Sequence, residues 1–544
     1  MKKLYYICFF IPSILIAQWG YAALENGRLY LPFKNNGILA AVNLQPKGSN
    51  MQWDDIGVLF SGGFFLSGYS NDELFTSGMA SSELFETYIQ GTLSNIDSAT
   101  TKIYSVKKSD PPFGEAWSDW KNAVKLGAYY YDGDGNGIYD PIDHNRNGFW
   151  EVDEDKPGLM YDQTFFNVFS DRGNFSDPRI HYSKGIEIKQ TIFASSDSLL
   201  NHSVFIRYSI VNRGTVNDTL KDMVFSIYAD ADIGYHKDDL TGCDTLLNSG
   251  FTYNHGPDSL FGENPPAVFF TILQGPAKYT GNIDDTAKVV FNDFSAPVKL
   301  PGFINTGLTA HTTSRIEGRF WAVVRSLRNL MLGKLSDGEL INPCQDDTGE
   351  IFGIDCSEVN PKFWFSGDPV AKSGWLNILP NDQRSIISTG TFNLIKDEPQ
   401  DIIVAYTIGQ GNDNLSSIID GKNRVRKLFE IYENNFTGSF ELPDYNVIYP
   451  KEFHLSQNYP NPFNPNTKIK YTIPGVGDEN FRPLQAQLIV YDILGRKVTT
   501  LVDEPKAPGN YEITFDASRL ASGVYLYRLT SGSFSQTKKM MVIK

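Results

Sequence analysis

Between His181 and about Gln410 the chain repeats one pattern. KGIEIKQTIFAS, SVFIRYSIVNRG, DMVFSIYADADIG, PAVFFTIL, RSIISTGTFNLI and DIIVAYTIG are strand-length runs, rich in Val, Ile, Phe and Tyr, with stretches of in/out alternation. Such strands cannot bury their apolar faces singly, so they imply a sandwich of packed sheets. A chain of 544 residues is too long for one core. Aromatic residues at 13%, with 47 Gly and 28 Pro, favour short strands and many turns over helical bundles. The expected class is mainly β: a multi-domain β-sandwich body with a few helices.

The ends of the chain differ from this body. Residues 1–23 place two lysines before an apolar run, Leu4 to Ile16, and then small residues, the layout of a secretory signal peptide cleaved after Ala17 or near Ala22. Residues 24–180 form a β-rich region, with RLYLPF, GILAAV and GVLFSGGFFLSG as short strands. Within it GEAWSDWKNAVKLGAYY sets Trp117, Trp120 and Val124 at helical spacing. The sandwich body, 181–436, closes with a helix carrying Ile418, Val425, Phe429 and Tyr432 on one face and Asn414 or Ser416 as N-cap. Prolines at 443, 450, 460, 462 and 465 make 437–465 an extended linker. Six strand-like runs then fill 466–544, which fits a compact immunoglobulin-like Greek-key sandwich.

Net charge also divides the chain. The whole carries -15, yet from Pro450 onward 12 Lys plus Arg face 8 Asp plus Glu, so the tail is +4 and the rest is -19. An acidic body argues against nucleic acid and anionic membranes as partners and suits divalent cations. Once Cys8 is lost with the signal peptide, three cysteines remain. Cys344 and Cys356 bracket CQDDTGEIFGIDC and form the expected disulfide, leaving Cys243 a buried thiol.

Enzyme signatures are sparse. The chain has no His-Glu-x-x-His, no Gly-x-Ser-x-Gly and no Walker loop, and its seven histidines are scattered. A glycosidase with two distant carboxylates is compatible with the sequence, but nothing singles out a pair.

One stretch has specific spacing. With Asp132 as position 1 of DGDGNGIYDPID, Asp134, Asn136, Asp140 and Asp143 fall at 3, 5, 9 and 12, Gly137 at 6 and the Ile138 carbonyl at 7. With Asp143 as position 1 of a second loop, Asn145, Asn147, Glu151 and Glu154 take the same places, with Gly148 at 6 and the Phe149 carbonyl at 7. Calcium takes six to eight hard oxygens, and alternate side chains converge on it when glycine permits the bend at position 6. The expected cofactor is therefore calcium, held by tandem loops at 132–155 that share Asp143. This stretch resembles the consecutive calcium loops of thrombospondin type 3 and dockerin repeats. A second candidate cation cluster is Asp230, Asp232, Asp238, Asp239 and Asp244 in DADIGYHKDDLTGCD.

In the tail, Gln457 is followed by Asn458, Tyr459, Pro460, Asn461, Pro462, Phe463, Asn464 and Pro465. Val490, Tyr491, Asp492, Ile493, Leu494, Gly495 and Arg496 come next, and then Ser522, Gly523, Val524 and Tyr525. These three motifs, in order, resemble the type A C-terminal sorting domain of the type IX secretion system. The family resemblance implies recognition by the type IX translocon and sorting machinery, tail cleavage and attachment to surface glycolipid. GVGDENFRP lengthens one strand connection relative to the family without touching the motifs. Gly495 should permit a tight turn, Gly523 a hairpin start where a side chain would clash, and the final strand should be the recognition edge. The body resembles uncharacterised proteins that carry this tail, which brings no known activity.

The resulting expectation is a secreted or outer-membrane-surface protein, exported first to the periplasm by its signal peptide. Its calcium-stabilised β body would have a structural or binding role. The alternative is a secreted hydrolase, glycosidase or peptidase, carried by the same system.

Overall fold

The computed structural model describes residues 20–42, 47–83, 85–172, 183–289, 297–314, 324–436, 453–474, 484–506, 509–532 and 534–543. The bulk of the expected signal peptide, the linker up to residue 452 and GVGDENFRP lie outside them. Tyr21–Ala23, placed in the signal peptide by sequence, belong instead to the strand Tyr21–Asn26, which pairs with Leu29–Lys34. Two compact units separate: residues 1–351, 355–367 and 374–440, and residues 352–354, 368–373 and 441–544.

The first unit is built on two antiparallel sheets, one of 12 strands and one of 9. At the middle of the nine-stranded sheet lie β1 (Gln163–Ser170), β2 (Ile186–Ala194), β3 (Ser203–Asn212) and β4 (Gln400–Gly409), side by side. Their alternation is the cause of the sandwich. Ile188, Ile192, Ile206, Tyr208, Val404 and Tyr406 share one core with Leu31, Phe33, Phe64, Phe225 and Ile227 of the other sheet. Phe64 meets Tyr208 at 5.3 Å between ring centroids, and Phe33 meets Phe165 at 5.3 Å edge to face.

The expected division at 180/181 is not a packing boundary. Ser61–Ser70 pairs with Thr219–Asp230, and β1 pairs with β2, so the N-terminal region and the body share both sheets. Sequence reading separated them because pairing over some 150 residues leaves no local signal.

Three helices cover outer sheet faces. Helix α1 (Glu115–Lys125) sets Trp120 and Ala123 against Tyr104, Val106, Phe166 and Val168. Helix α2 (Val324–Met331) packs Leu327, Leu330 and Met331 on Phe65, Val224, Tyr228 and Ile386. Helix α3 (Asn414–Glu433) lays Leu428, Ile431 and Tyr432 over Phe193, Phe205, Ile403 and Ala405. Its N-cap is Asp413, not Asn414 or Ser416. The Asp413 carboxylate accepts from the Ser416 amide at 2.6 Å, and Ser416 Oγ accepts from the Asp413 amide at 2.9 Å, a reciprocal capping box. Gly421 is required by closeness, since a Cβ there would sit 2.1 Å from the Phe269 ring. Cys344 and Cys356 are joined by a disulfide, and Cys243 is a buried free thiol.

The second unit contains a sandwich of three strands on four. His454–Leu455, Asn466–Ile473 and Gly509–Asp516 form one sheet, and Lys497–Lys506, Leu484–Asp492, Gly523–Ser531 and Phe534–Val542 the other. Leu455 and Phe463 are buried in its core with Ile469, Leu488, Val490 and Tyr527. The expected linker boundary at 465 therefore moves: residues 453–465 belong to the sandwich, held by apolar burial that their proline content concealed.

Candidate metal loops and the sorting tail

Residues 132–155 leave and re-enter the body through a two-residue ladder, Tyr130–Tyr131 against Lys156–Pro157. Within it the same turn is built twice. Asp132 accepts from the amides of Asn136 and Gly137 at 3.1 and 2.9 Å, and Asp143 from those of Asn147 and Gly148 at 3.2 and 2.8 Å. The side chains of Asp134 and Asn145 accept from the Asn136 and Asn147 amides, and those of Asn136 and Asn147 from the Ile138 and Phe149 amides. Positive φ recurs at the fourth and sixth positions: Gly135 +70° and Gly137 +77°, Arg146 +60° and Gly148 +79°. Glycine suits three of these four places because the left-handed region costs it least.

Both Asp143 oxygens accept from amides of the second loop. The first loop is tied together by Asp155, which accepts from the amides of Gly133 at 3.0 Å and Asp140 at 2.7 Å. Glu154 occupies the equivalent place in the second loop, accepting from His144 at 2.8 Å and Glu151 at 3.0 Å. Asp132, Asp134 and Asp155 each bring a carboxylate oxygen within 4.8 Å of the others. Sequence reading missed Asp155 because a twelve-residue window ends long before it. Its signal was the doublet Glu154-Asp155, one closing carboxylate per loop.

Aromatic packing fixes the frame. Trp150 donates to the Glu154 carbonyl at 2.8 Å, and the Lys156 ammonium lies 3.9 Å over the Trp150 ring. Tyr139, buried beneath α1, donates to the Trp117 carbonyl at 3.0 Å. Ile138 and Phe149 point their side chains outward. Asp140 also pairs with Lys121 at 2.5 Å. Burial opposes the Glu154 carboxylate, but the Glu151 and His144 amides outweigh it and hold its pKa below the usual range.

The second acidic group assembles differently from its expected set. Asp230 and Asp232 meet Asp382, 150 residues further along, with carboxylate oxygens within 4.8 Å, and Arg384 spans Asp230 at 3.5 Å and Asp382 at 3.1 Å. Asp238 instead accepts from Asn254 at 2.8 Å and Asp239 from the Ile233 amide at 3.2 Å. Asp244 pairs with Lys422 at 3.1 Å and caps the turn at Leu246 and Leu247.

Burial, reinforced by the charges of Asp230 and Asp382, pushes Asp232 up to about 7. The folded state thus holds this proton to higher pH than the unfolded chain. Stability is lost as pH rises from the usual carboxylate range to about 7, and the penalty is complete above it. Asp232→Asn is expected to add about 1–3 kcal/mol at pH 8 and almost nothing at pH 4, read by thermal or urea unfolding.

In the tail, Asn458 is buried, donates its backbone N–H to the Tyr527 hydroxyl oxygen at 2.8 Å and donates its side-chain amide to Pro460 O and Thr467 Oγ1. Phe463 bridges to the last strand through its amide to Met541 O and its carbonyl to Ile543 N, both at 3.0 Å, and Asn461 accepts from the Met541 amide. The final strand lies at an edge of the four-stranded sheet, with the proline segment tied to its end. Tyr459 is exposed. Pro462, Asn464 and Pro465 complete the passage into the Asn466–Ile473 strand.

Asp492 builds the Gly495 turn by accepting from the amides of Leu494 and Arg496 and pairing with the Arg496 guanidinium at 2.7 Å, which lowers its pKa. Tyr491 lies under Arg528, and the Tyr525 hydroxyl donates to the Ala521 carbonyl at 3.1 Å. No side chain crowds Gly523: a Cβ would meet nothing within 4 Å, and its φ of +158° is the reason for glycine.

Among the described residues no helix is long and apolar enough to cross a membrane. A comparison with curated proteins found no match to the chain. Residues 457–544, by contrast, match the family described as secretion system C-terminal sorting domain, and they contain all three tail motifs. The tail is a type IX sorting domain that engages that secretion machinery, and the chain is a secreted or cell-surface protein.

Proposed function

We propose that the body is a calcium-stabilised extracellular module of structural or binding role, delivered to the periplasm by its signal peptide and outward by its tail. The observation carrying this reading is the duplicated loop, in which two sets of carboxylates and amides take the same positions and each set ends in its own closing acid. Five hard-oxygen side chains serve each ion: Asp132, Asp134, Asn136, Asp140 and Asp155 in the first loop, and Asp143, Asn145, Asn147, Glu151 and Glu154 in the second. The carbonyls of Ile138 and Phe149 stand at the seventh positions. Calcium would neutralise the clustered charge and hold the loops in one shape, with no catalytic task. Extracellular sites of this kind bind with a Kd of about 0.1–1 mM, so they fill outside the cell. Thermal unfolding of the purified chain in calcium and in chelator tests the reading.

Attachment to surface glycolipid after tail cleavage belongs to the same proposal. The hydrolase alternative would replace it if a glycan or peptide substrate were turned over and that turnover vanished with one Asp or Glu substitution.

A further inference from the structure

The outer face of the nine-stranded sheet is not uniformly covered. In register across β1 to β4, Phe166 faces Thr191, Arg207 and Ile403, and Val168 faces Lys189, Ser209 and Asp401. Helix α1 covers Phe166 and Val168, and α3 covers Phe193, Phe205, Ile403 and Ala405. Between the helices a charged strip remains at the floor of two adjoining clefts of about 230 and 510 Å³, which share Gly127, Lys189 and Arg213.

Most of this charge is paired internally. Arg207 meets Asp401 at 2.7 Å, and Arg213 meets Glu187 at 2.5 Å and Asp397 at 3.3 Å. Lys189 is the remainder: among the described residues its ammonium makes no salt bridge or hydrogen bond. Gly127, at the end of α1, roofs it so closely that a Cβ there would lie 2.2 Å from Nζ. Burial and the neighbouring Arg213 and Arg207 charges depress the Lys189 pKa, against the opposing pull of Glu187 and Asp401. A half-buried ammonium in direct contact with no carboxylate, its nearest acids engaged by Arg207 and Arg213, faces the cleft and is poised for an incoming anion. Hydroxyls of Thr92, Ser94 and Thr215, the apolar sides of Leu93 and Leu126, and the charged Lys125 and Glu187 line the wider cleft, with Glu187 held by Arg213. Small hydroxyls beside apolar walls suit a sugar ring, which offers both kinds of surface.

We propose that this cleft binds an anionic saccharide, with the sugar's carboxylate or sulfate on Lys189 and its ring between the Thr92–Ser94 segment and the end of α1. The proposal rests on the reading of the body as a binding module and adds its ligand class. A body of net charge -19 repels anions at long range, so recognition falls to this local cation.

The test is calorimetric titration of the full chain in calcium with three tetrasaccharides: hyaluronan for the carboxylate, a carrageenan fragment for the sulfate ester, and neoagarotetraose as the neutral control. One or both anionic probes should bind and the neutral one should not, and the pair separates carboxylate from sulfate recognition. Lys189→Met should weaken binding about tenfold or more, while Lys189→Arg keeps most of it. Both variants should keep the melting temperature and the calcium response of the parent, so a failure here is distinct from failure of the calcium reading. Should Lys189→Met not fold, affinity of the parent chain must fall with rising pH earlier than an exposed lysine would allow. Equal binding of the neutral sugar, no binding of either anionic probe, or unchanged affinity in Lys189→Met would overturn the proposal.

Discussion

A chain lacking residues 450–544 is expected to accumulate in the periplasm, with surface and medium signal at background, as read by protease accessibility of intact cells and fractionation. The domain removed has its own core, including Leu455, Phe463, Leu488, Val490 and Tyr527, so its loss leaves the body's sheets intact. Transfer of the same residues to a periplasmic reporter is expected to bring that reporter to the surface. A graded version uses one side chain. Phe463 is 3% exposed in the tail core, and Phe463→Ala should cost about 3–5 kcal/mol, a large share of what a small domain has. Export should then fall while the body still folds. Surface delivery of the chain truncated at 450 would refute the assignment of export to the tail.

Removing calcium is the second large perturbation. With a Kd of about 0.1–1 mM and about 10 mM free calcium, each loop adds about 1.4–2.7 kcal/mol by mass action, and two loops about 3–5 kcal/mol. Chelator should therefore lower the melting temperature by several degrees, and identical curves would end the calcium reading. The loop geometry adds a sharper expectation. If Asp155 closes the first loop and Asp143 opens the second, as proposed, Asp155→Asn and Asp143→Asn should each remove about half of the calcium-dependent increment. A shared Asp143 would make Asp143→Asn abolish the whole increment and Asp155→Asn abolish none. Comparing increments, rather than absolute stabilities, sets aside the amide partners each carboxylate loses.

These outcomes bear on what a sequence can convey. The strands of the body were legible because alternation is local: Ile186, Ile188 and Ile192 face inward while Glu187, Lys189 and Thr191 face outward. The interior of each loop was legible for the same reason, as Asp132 to Asp140 and Asp143 to Glu154 each fall within twelve residues. Asp155 and Asp382 were not, since each reaches its partners by chain return, and no spacing rule links residue 132 to 155 or 230 to 382. The charged strip around Lys189 falls in the same class. A lysine outward on a strand reads as solvated, and its half-burial appears once α1, some 65 residues earlier, is laid beside it. The tail was legible through residues with special backbone tasks, Asn458, Asp492 and Gly495, whose hydrogen bonds or φ the fold depends on. Its starting point was not, because a run of prolines looks the same whether it bridges domains or runs along a sandwich with only Leu455 and Phe463 turned into the core.

Tyr139 gives the first loop a mechanical role. Its ring lies 5.3 Å from that of Tyr130 and its hydroxyl reaches the Trp117 carbonyl, so helix α1 rests on a residue set between Ile138 and Asp140 of that loop. Seen from the helix, the loop is a buttress. If the loop takes calcium as proposed, the ion would stiffen it and its loss would slacken it, so Trp117 and Trp120 fluorescence should report calcium from a distance. On the proposed reading, a helix with no ligand oxygen of its own would be braced in the calcium-rich medium outside the cell and slack in calcium-poor surroundings.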